Sequence, residues 1–330
     1  MKRLPISNVA PARLRAAERA GDDYGVSDLP DWRSIDWVSQ LRETEIEGRS
    51  VNYVDLGDQG DHRPIVFIHG LSGQWQNWLE NIPRFAESRR VVAMDLPGFG
   101  LSEKPSERIS IELYGRIVAE LCDRLDVAPA VVVGNSMGGF VAAELAITHP
   151  ESVERLMLLA SAGVSQMDVA KRPVLAVGKV AGLLATSNVA QMRLTARRPK
   201  LRHWIMSLFC RHPSRIKADV MFEGLMKGAD KPGFESALRA CLDYDFRERL
   251  PEIGCPTLVA WGEKDMIIPV RDADTFVSLI PGARKVIFDD TGHVPMLERP
   301  KSFNDCLEKF LQRDPTDSVG AHVQVADDRV

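Results

Sequence analysis

The chain has 330 residues, 45% hydrophobic and 27% charged, with a formal net charge of −4. That length holds one large α/β domain with an insertion, or two smaller domains, and the composition is that of a soluble globular protein with a sizeable core. The charge gives no nucleic-acid footprint, and five scattered cysteines without a C-x-x-C pair argue against a disulfide framework or a metal site and for reduced, mostly buried thiols.

In chain order, Lys2 and Arg3 have no apolar segment behind them, which argues against a secretory signal and for a cytoplasmic protein. Residues 1–40 read as a polar N-terminal extension with a short helix at 13–19. Segments 43–47 and 51–55 are β-forming runs joined at Gly48 and read as a hairpin. Continuous apolar runs follow at 65–68, 91–94, 131–133, 156–159, 257–261 and 286–288. Runs without in/out alternation are the pattern of strands buried on both faces. Helical patterns lie between them at 111–124, 139–149, 271–280 and 301–312. The alternation predicts an α/β class with a mostly parallel central sheet and helices on both faces, built from residues 41–162 and 245–313.

The alternation stops over 163–244. This stretch is helical in character, rich in Met and Leu, and interrupts the sheet, so it is expected to be an inserted helical cap or lid. Residues 163–234 hold 13 Lys and Arg against 4 Asp and Glu, a net +9, which leaves the rest of the chain at −13. The most apolar stretch, 174–185, is broken by Lys179 and is too short to span a bilayer. Residues 314–330 are polar and expected to be a disordered tail.

The chemistry centres on Gly134-Asn135-Ser136-Met137-Gly138, between a β-branched run and a helical pattern. A G-x-S-x-G at such a junction is a sharp turn that exposes a strained serine, with glycines where a side chain would meet neighbouring backbone. A serine hydroxyl needs a base to take its proton, and histidine suits the task at neutral pH. Of seven histidines, His293 stands in the loop after the last of these strand runs, which opens at the same sheet edge as Ser136. A third group must orient the imidazole. Asp265, after the preceding strand, is the first choice, with Glu263, Asp289 and Asp290 as weaker ones. Asp95 lies on the wrong side of the nucleophile and is expected to organise its loop, as is His69. Trp75 and Trp78 are expected to pack the loop above the site, and His203 and His212 to be solvated.

With Ser136, Asp265 and His293 in that order, the chain resembles the α/β-hydrolase superfamily, in particular its serine esterase and lipase-like members with a helical cap. The resemblance covers about residues 42–311. It also rests on His69-Gly70, on Asp95-Leu96-Pro97-Gly98-Phe99-Gly100-Leu101-Ser102 and on the segment from Gly292 to Pro300. It implies an oxyanion hole made by the backbone N–H groups of Leu71 and Met137. Serine at the turn argues against haloalkane dehalogenases and epoxide hydrolases of this fold, which use aspartate. Acyl transfer to water is favoured, with ester hydrolysis first and a small ester as the substrate. The nucleophile segment is also similar to that of the meta-cleavage-product hydrolases, which split carbon–carbon bonds. Those usually have a longer glycine-rich segment after His-Gly and a tryptophan soon after the catalytic histidine; this chain has Leu71-Ser72-Gly73 and Val294-Pro295. A non-catalytic ligand-binding relative is the third reading, against which the complete triad counts.

No metal or organic cofactor is implied, since there is no dinucleotide fingerprint and no Walker-type phosphate loop. The cap's apolar content suggests a hydrophobic acyl pocket. Its basic excess reads first as a solvated helix face. The sharper reading is weak attraction of Arg193, Arg197, Arg198, Lys200 and Arg202 to anionic lipid surfaces or an anionic substrate.

Overall fold

Short apolar runs with no polar face must bury both sides, and they do so side by side. In the computed structural model, which describes residues 20–58, 60, 62–165, 188–227, 232–312 and 323–325, they build a nine-stranded sheet. The strands are β1 (Leu41–Ile46), β2 (Arg49–Leu56), β3 (Ile65–Ile68), β4 (Val91–Met94), β5 (Ala130–Asn135), β6 (Val153–Leu159), β7 (Thr257–Gly262), β8 (Arg284–Phe288) and β9 (Val323–Val325). Their order is β1-β2-β4-β3-β5-β6-β7-β8-β9; β1–β2 and β2–β4 are antiparallel and the other pairs parallel. Glu47 and Gly48, at φ 48° and 76°, close the expected hairpin as a tight two-residue turn.

β5 shows why the central runs lack alternation. Val131 and Val133 join Phe67, Trp78 and Leu159 on one face. Ala130 and Val132 join Ile68, Phe140 and Leu158 on the other. The helices that cover the sheet include α1 (Ile111–Arg124), α2 (Met137–Thr148), α6 (Arg271–Leu279) and α7 (Pro300–Gln312). Ser110 caps α1, its hydroxyl accepting the Leu113 N–H.

Between β6 and β7 the described residues form helices and no strand: α3 (Val189–Arg197), α4 (Pro199–Met206), a turn at Ala218–Met221 continuing into Phe222–Met226, and α5 (Phe234–Asp243). Met192, Ala196 and Met206 pack into the same apolar cluster as Val294 and Leu297, so α3 and α4 share a core with the His293 loop. No helix among the described residues is long and apolar enough to cross a membrane.

Two terminal expectations need amendment. The N-terminal extension is packed from Ala20 on: Tyr24 is buried, Trp32 Nε1 donates to Glu80 (2.9 Å), and Ser302 Oγ donates to Asp23 (2.6 Å). In the tail, Val323–Val325 pairs with the open edge of β8; the short helix at 13–19 and the rest of 314–330 lie outside the described residues.

Candidate active site

The strand order reverses at β3. The chain leaves β3 for β4 on one side, returns to β5 on the other, and then proceeds outward through β6, β7 and β8. Loops diverge at such a point and leave a crevice at the carboxyl ends of the strands. The register aligns Ile68 with Gly134, Asn135 with Leu159, and Gly262 with Phe288. Leu71, Ser136, Asp265 and His293 therefore all lie just past strand ends at one edge.

Ser136 sits at φ 57°, ψ −119°, a conformation open to glycine and costly for a residue with a Cβ. Its N–H donates to Leu159 O (2.9 Å), and its C=O accepts from Ala162 (2.9 Å) and Gly139 (3.0 Å). A Cβ on Gly134 would run into the Gly138 carbonyl, and one on Gly138 into the carbonyls of Ile68 and His69. Close packing of backbone on backbone thus fixes the turn. Met137 is the first residue of α2, whose leading N–H groups have no partner within the helix.

His293 Nδ1 lies 2.7 Å from Asp265 Oδ2, and both side chains are buried. The other oxygen of Asp265 accepts the N–H groups of Ile267 (2.8 Å) and Ile268 (3.0 Å). An acceptor-only carboxylate at Nδ1 places the hydrogen there and leaves Nε2 as the basic nitrogen. Asn135, next to Ser136, donates from Nδ2 to the carbonyls of Leu159 (3.1 Å) and His293 (3.3 Å). That side chain ties the histidine loop to the serine turn. Of the four acidic candidates only Asp265 meets His293: Glu263 bonds Lys264 and the Asp290 N–H, Asp290 faces Arg211 and His212, and the Asp289 carbonyl accepts the Thr291 hydroxyl.

On the opposite wall, His69 Nε2 accepts the Leu96 N–H (2.9 Å) and Nδ1 faces Gly70 O (2.7 Å). Asp95 accepts from Trp75 N–H (2.8 Å), Leu101 N–H (2.9 Å) and Asn52 Nδ2 (2.9 Å). Both residues organise loops, as their positions suggested. Gly70 packs so near Ser136 that a Cβ there would stand 3.0 Å from the Ser136 Cβ, and Leu71 is the residue that follows it in the chain. Trp78 stacks on Phe67 and Trp75 packs on Trp37.

Sequence reasoning gave Glu298 no role, yet it holds the histidine loop. Fully buried, it accepts the N–H groups of Gly292 (3.0 Å), Val294 (3.2 Å) and Arg211 (2.7 Å) and the Tyr24 hydroxyl. Burial pushes its carboxyl up, against the downward pull of those donors, and pushes the Tyr24 hydroxyl well up, which keeps it a donor. Phe209 adds a second anchor, its carbonyl accepting the His293 N–H (2.8 Å). An acidic residue inside the apolar run Pro295-Met296-Leu297-Glu298 is the one local signal that it is buried for a purpose.

Three expectations for the residues between β6 and β7 fail. His212 is buried, its Nε2 2.6 Å from Asp290 Oδ2, and His203 is buried too, because both face inward from the helices between β6 and β7. Burial lowers the His212 pKa despite the carboxylate, so the neutral imidazole donates to Asp290. Arg202 does not belong to the basic surface: its guanidinium is buried and donates to the carbonyls of Ala196, Pro213 (2.7 Å) and Ser214 (2.9 Å).

A family model described as the alpha/beta hydrolase fold matches residues 63–300. The dihydrolipoyllysine-residue acetyltransferase component of the acetoin cleaving system of Pseudomonas putida is 32% identical over 281 residues, 82% of this chain and 69% of that one. The 2-hydroxymuconate semialdehyde hydrolase of Pseudomonas sp. (strain CF600) is 32% identical over 277 residues, 78% of this chain and 89% of its own. A solved structure of an N-acyl homoserine lactone degrading enzyme superposes with a TM-score of 0.64 at 27% identity, covering 82% of this chain and 100% of that one.

Proposed function

The chain belongs to the α/β-hydrolase family, and from that premise we propose that it is a serine hydrolase of carboxylic esters. Ser136 is the nucleophile, His293 the base and Asp265 the group that orients it. One observation carries the reading: the 2.7 Å contact of His293 Nδ1 with buried Asp265, in a loop fastened beside a strained Ser136. His293 Nε2 takes the Ser136 proton as Oγ bonds to the substrate carbonyl. The carbonyl's electron pair moves to its oxygen, which meets the N–H groups of Leu71 and Met137. Each such donor typically lowers the barrier by about 3 kcal/mol. The tetrahedral intermediate collapses, the alcohol leaves with the proton held by His293, and an acyl-serine remains. Water, deprotonated by His293, then releases the acid and restores Ser136.

Cyclic esters fall within this reading, and similarity to an enzyme that degrades N-acyl homoserine lactones supports including them. The 32% identity to 2-hydroxymuconate semialdehyde hydrolase favours a second reading, hydrolysis of a carbon–carbon bond in a ring-fission dienone by the same residues. The short Leu71-Ser72-Gly73 segment and Val294-Pro295 after the histidine weigh toward esters.

The test is initial rates of wild type and Ser136→Ala on p-nitrophenyl esters of increasing acyl length, on a lactone and on a ring-fission dienone. Ester turnover is expected, falling by a factor on the order of 10⁶ in Ser136→Ala. Turnover of the dienone alone would install the second reading, and equal rates in the two proteins would overturn the serine mechanism. Tight ligand binding with no turnover at all would make the chain a binding relative.

A further inference from the structure

Every described helix of eight or more residues carries at least one Asp or Glu except α3 and α4. The stretch 188–206 has five cations and no acid. Each helix buries one side, Met192 and Ala196 on α3 and Arg202, His203 and Met206 on α4. The 100° advance per residue then turns Leu194 and Arg197 outward on α3, and Lys200 and Trp204 outward on α4. Trp204 is 72% exposed, Val189 57% and Leu194 47%. Arg193, Arg197, Arg198 and Lys200 are exposed beside them, and none has an ion pair among the described residues; Arg193 packs over the Phe222 ring.

We infer that the outward face of α3 and α4 docks on an anionic lipid bilayer, with Trp204 and Leu194 in the headgroup–acyl boundary and Arg193, Arg197, Arg198 and Lys200 against lipid phosphates. An indole that stays in water gains nothing from its apolar body, whereas at a bilayer interface it buries that body and keeps its N–H wet. Apolar tips ringed by cations on one exposed helix face are the chemistry of in-plane membrane attachment. Charge supports this occupant. The chain outside 163–234 is net −13, so an anionic surface repels the rest of the molecule and admits it cap first. α4 ends three residues before Phe209, whose carbonyl holds the His293 amide, so the docked helix leads in the chain to an anchor of the histidine loop.

The experiment is co-sedimentation of the full chain with phosphatidylcholine vesicles and with phosphatidylcholine–phosphatidylglycerol vesicles, at low and high salt. Binding to the anionic vesicles and its loss at high salt are expected. Arg197→Glu/Arg198→Glu/Lys200→Glu lowers the partition coefficient by about 100-fold, at about fivefold per cation removed from the surface, and reversal adds to this. Leu194→Ser/Trp204→Ser lowers it by about tenfold or more and removes the Trp fluorescence shift on binding. Circular dichroism and thermal melting check that both variants fold. Absence of salt-sensitive binding to anionic vesicles, or equal binding by both variants, overturns the proposal. A Trp204-dependent dimer in sedimentation velocity without vesicle binding assigns the face to a second copy and overturns it as well. The readout is binding, so the outcome is separate from the chemistry at Ser136.

Discussion

The serine turn and the histidine loop meet at one sheet edge but are held by different forces. The turn is steric: Gly134 and Gly138 let backbone lie on backbone, and the β6 end clamps Ser136 from both sides. The histidine loop is polar and borrowed. Its amides are held by Glu298 from the helical turn that follows and by Phe209 from the helical segment between β6 and β7, and the same carboxylate reaches Arg211 and Tyr24. One half of the site is thus written into a few adjacent residues. The other depends on the helical segment between β6 and β7 and on the N-terminal segment being in place. Substitutions should separate the two.

The largest effect is expected in the steric half. Gly138→Ala pushes a methyl group into the carbonyls of Ile68 and His69, and neither backbone can retreat without disturbing β3 or α2. Overpacking of this kind costs about 3 kcal/mol. Urea unfolding should show a loss of that order, with ester turnover lost alongside. A Gly138→Ala protein of wild-type stability would mean that the turn tolerates side chains and is not fixed by contact.

The polar half should fail more gently. Glu298→Gln keeps one carbonyl oxygen, but its NH₂ faces N–H groups that need acceptors, at about 1–3 kcal/mol for each buried donor left unmade. The expected result is a 10- to 100-fold fall in kcat/KM on an ester with a modest fall in melting temperature. Tyr24→Phe, which removes one donor and leaves the three amides, should lose less. Full activity in Glu298→Gln would show that the loop holds its shape without the carboxylate.

This contrast also explains what could be read in advance. The central strands were legible because burial on both faces leaves a purely local trace, as in Val131-Val132-Val133. Ser136 was legible because the steric demand falls on glycines two residues away on either side. Asp265 and His293 were legible from their order and their places after strand runs, and the structure brings them into contact. Glu298 was not, because its partners Arg211 and Tyr24 lie 87 and 274 positions away. Cys210-Arg211-His212-Pro213 looks hydrophilic, and nothing near it reveals Asp290 opposite, so His212 read as solvated. Val323–Val325 is too short and too polar in setting to announce a strand.

His212 offers a smaller test of the polar half. Burial depresses its pKa below 6.5, so between that value and the folded one the unfolded chain holds more protons than the native state. Native stability therefore drops as pH falls through 6.5, by at most about 1.4 kcal/mol per pH unit for a single proton. Asp290, held below 3.8 because the His212 and Arg211 hydrogen bonds outweigh its burial, keeps its contribution down to about that pH. Glu298, raised above 4.5, adds a slope of opposite sign just above 4.5, but does so in wild type and variant alike. Unfolding free energies from pH 7 to 5 should fall less steeply in His212→Gln than in wild type. Parallel profiles would mean that His212 titrates normally and is not a fastener of this corner.

The smallest expected effect reverses the usual sign. At φ 57°, ψ −119° any Cβ is strained, so Ser136→Ala keeps the strain and Ser136→Gly removes it. Relief of about 1–3 kcal/mol is partly offset by about 0.5–1 kcal/mol from glycine's freer unfolded chain. Ser136→Gly should therefore unfold about 1 kcal/mol harder than Ser136→Ala, both proteins being inactive. The histidine loop has its own left-handed residue, Asp290 at φ 44°, but there glycine would forfeit the contacts to His212 and Arg211. Asp290→Gly should accordingly destabilise where Ser136→Gly stabilises. Equal stability of the two Ser136 variants would mean that the turn stores no strain and that its shape costs the fold nothing.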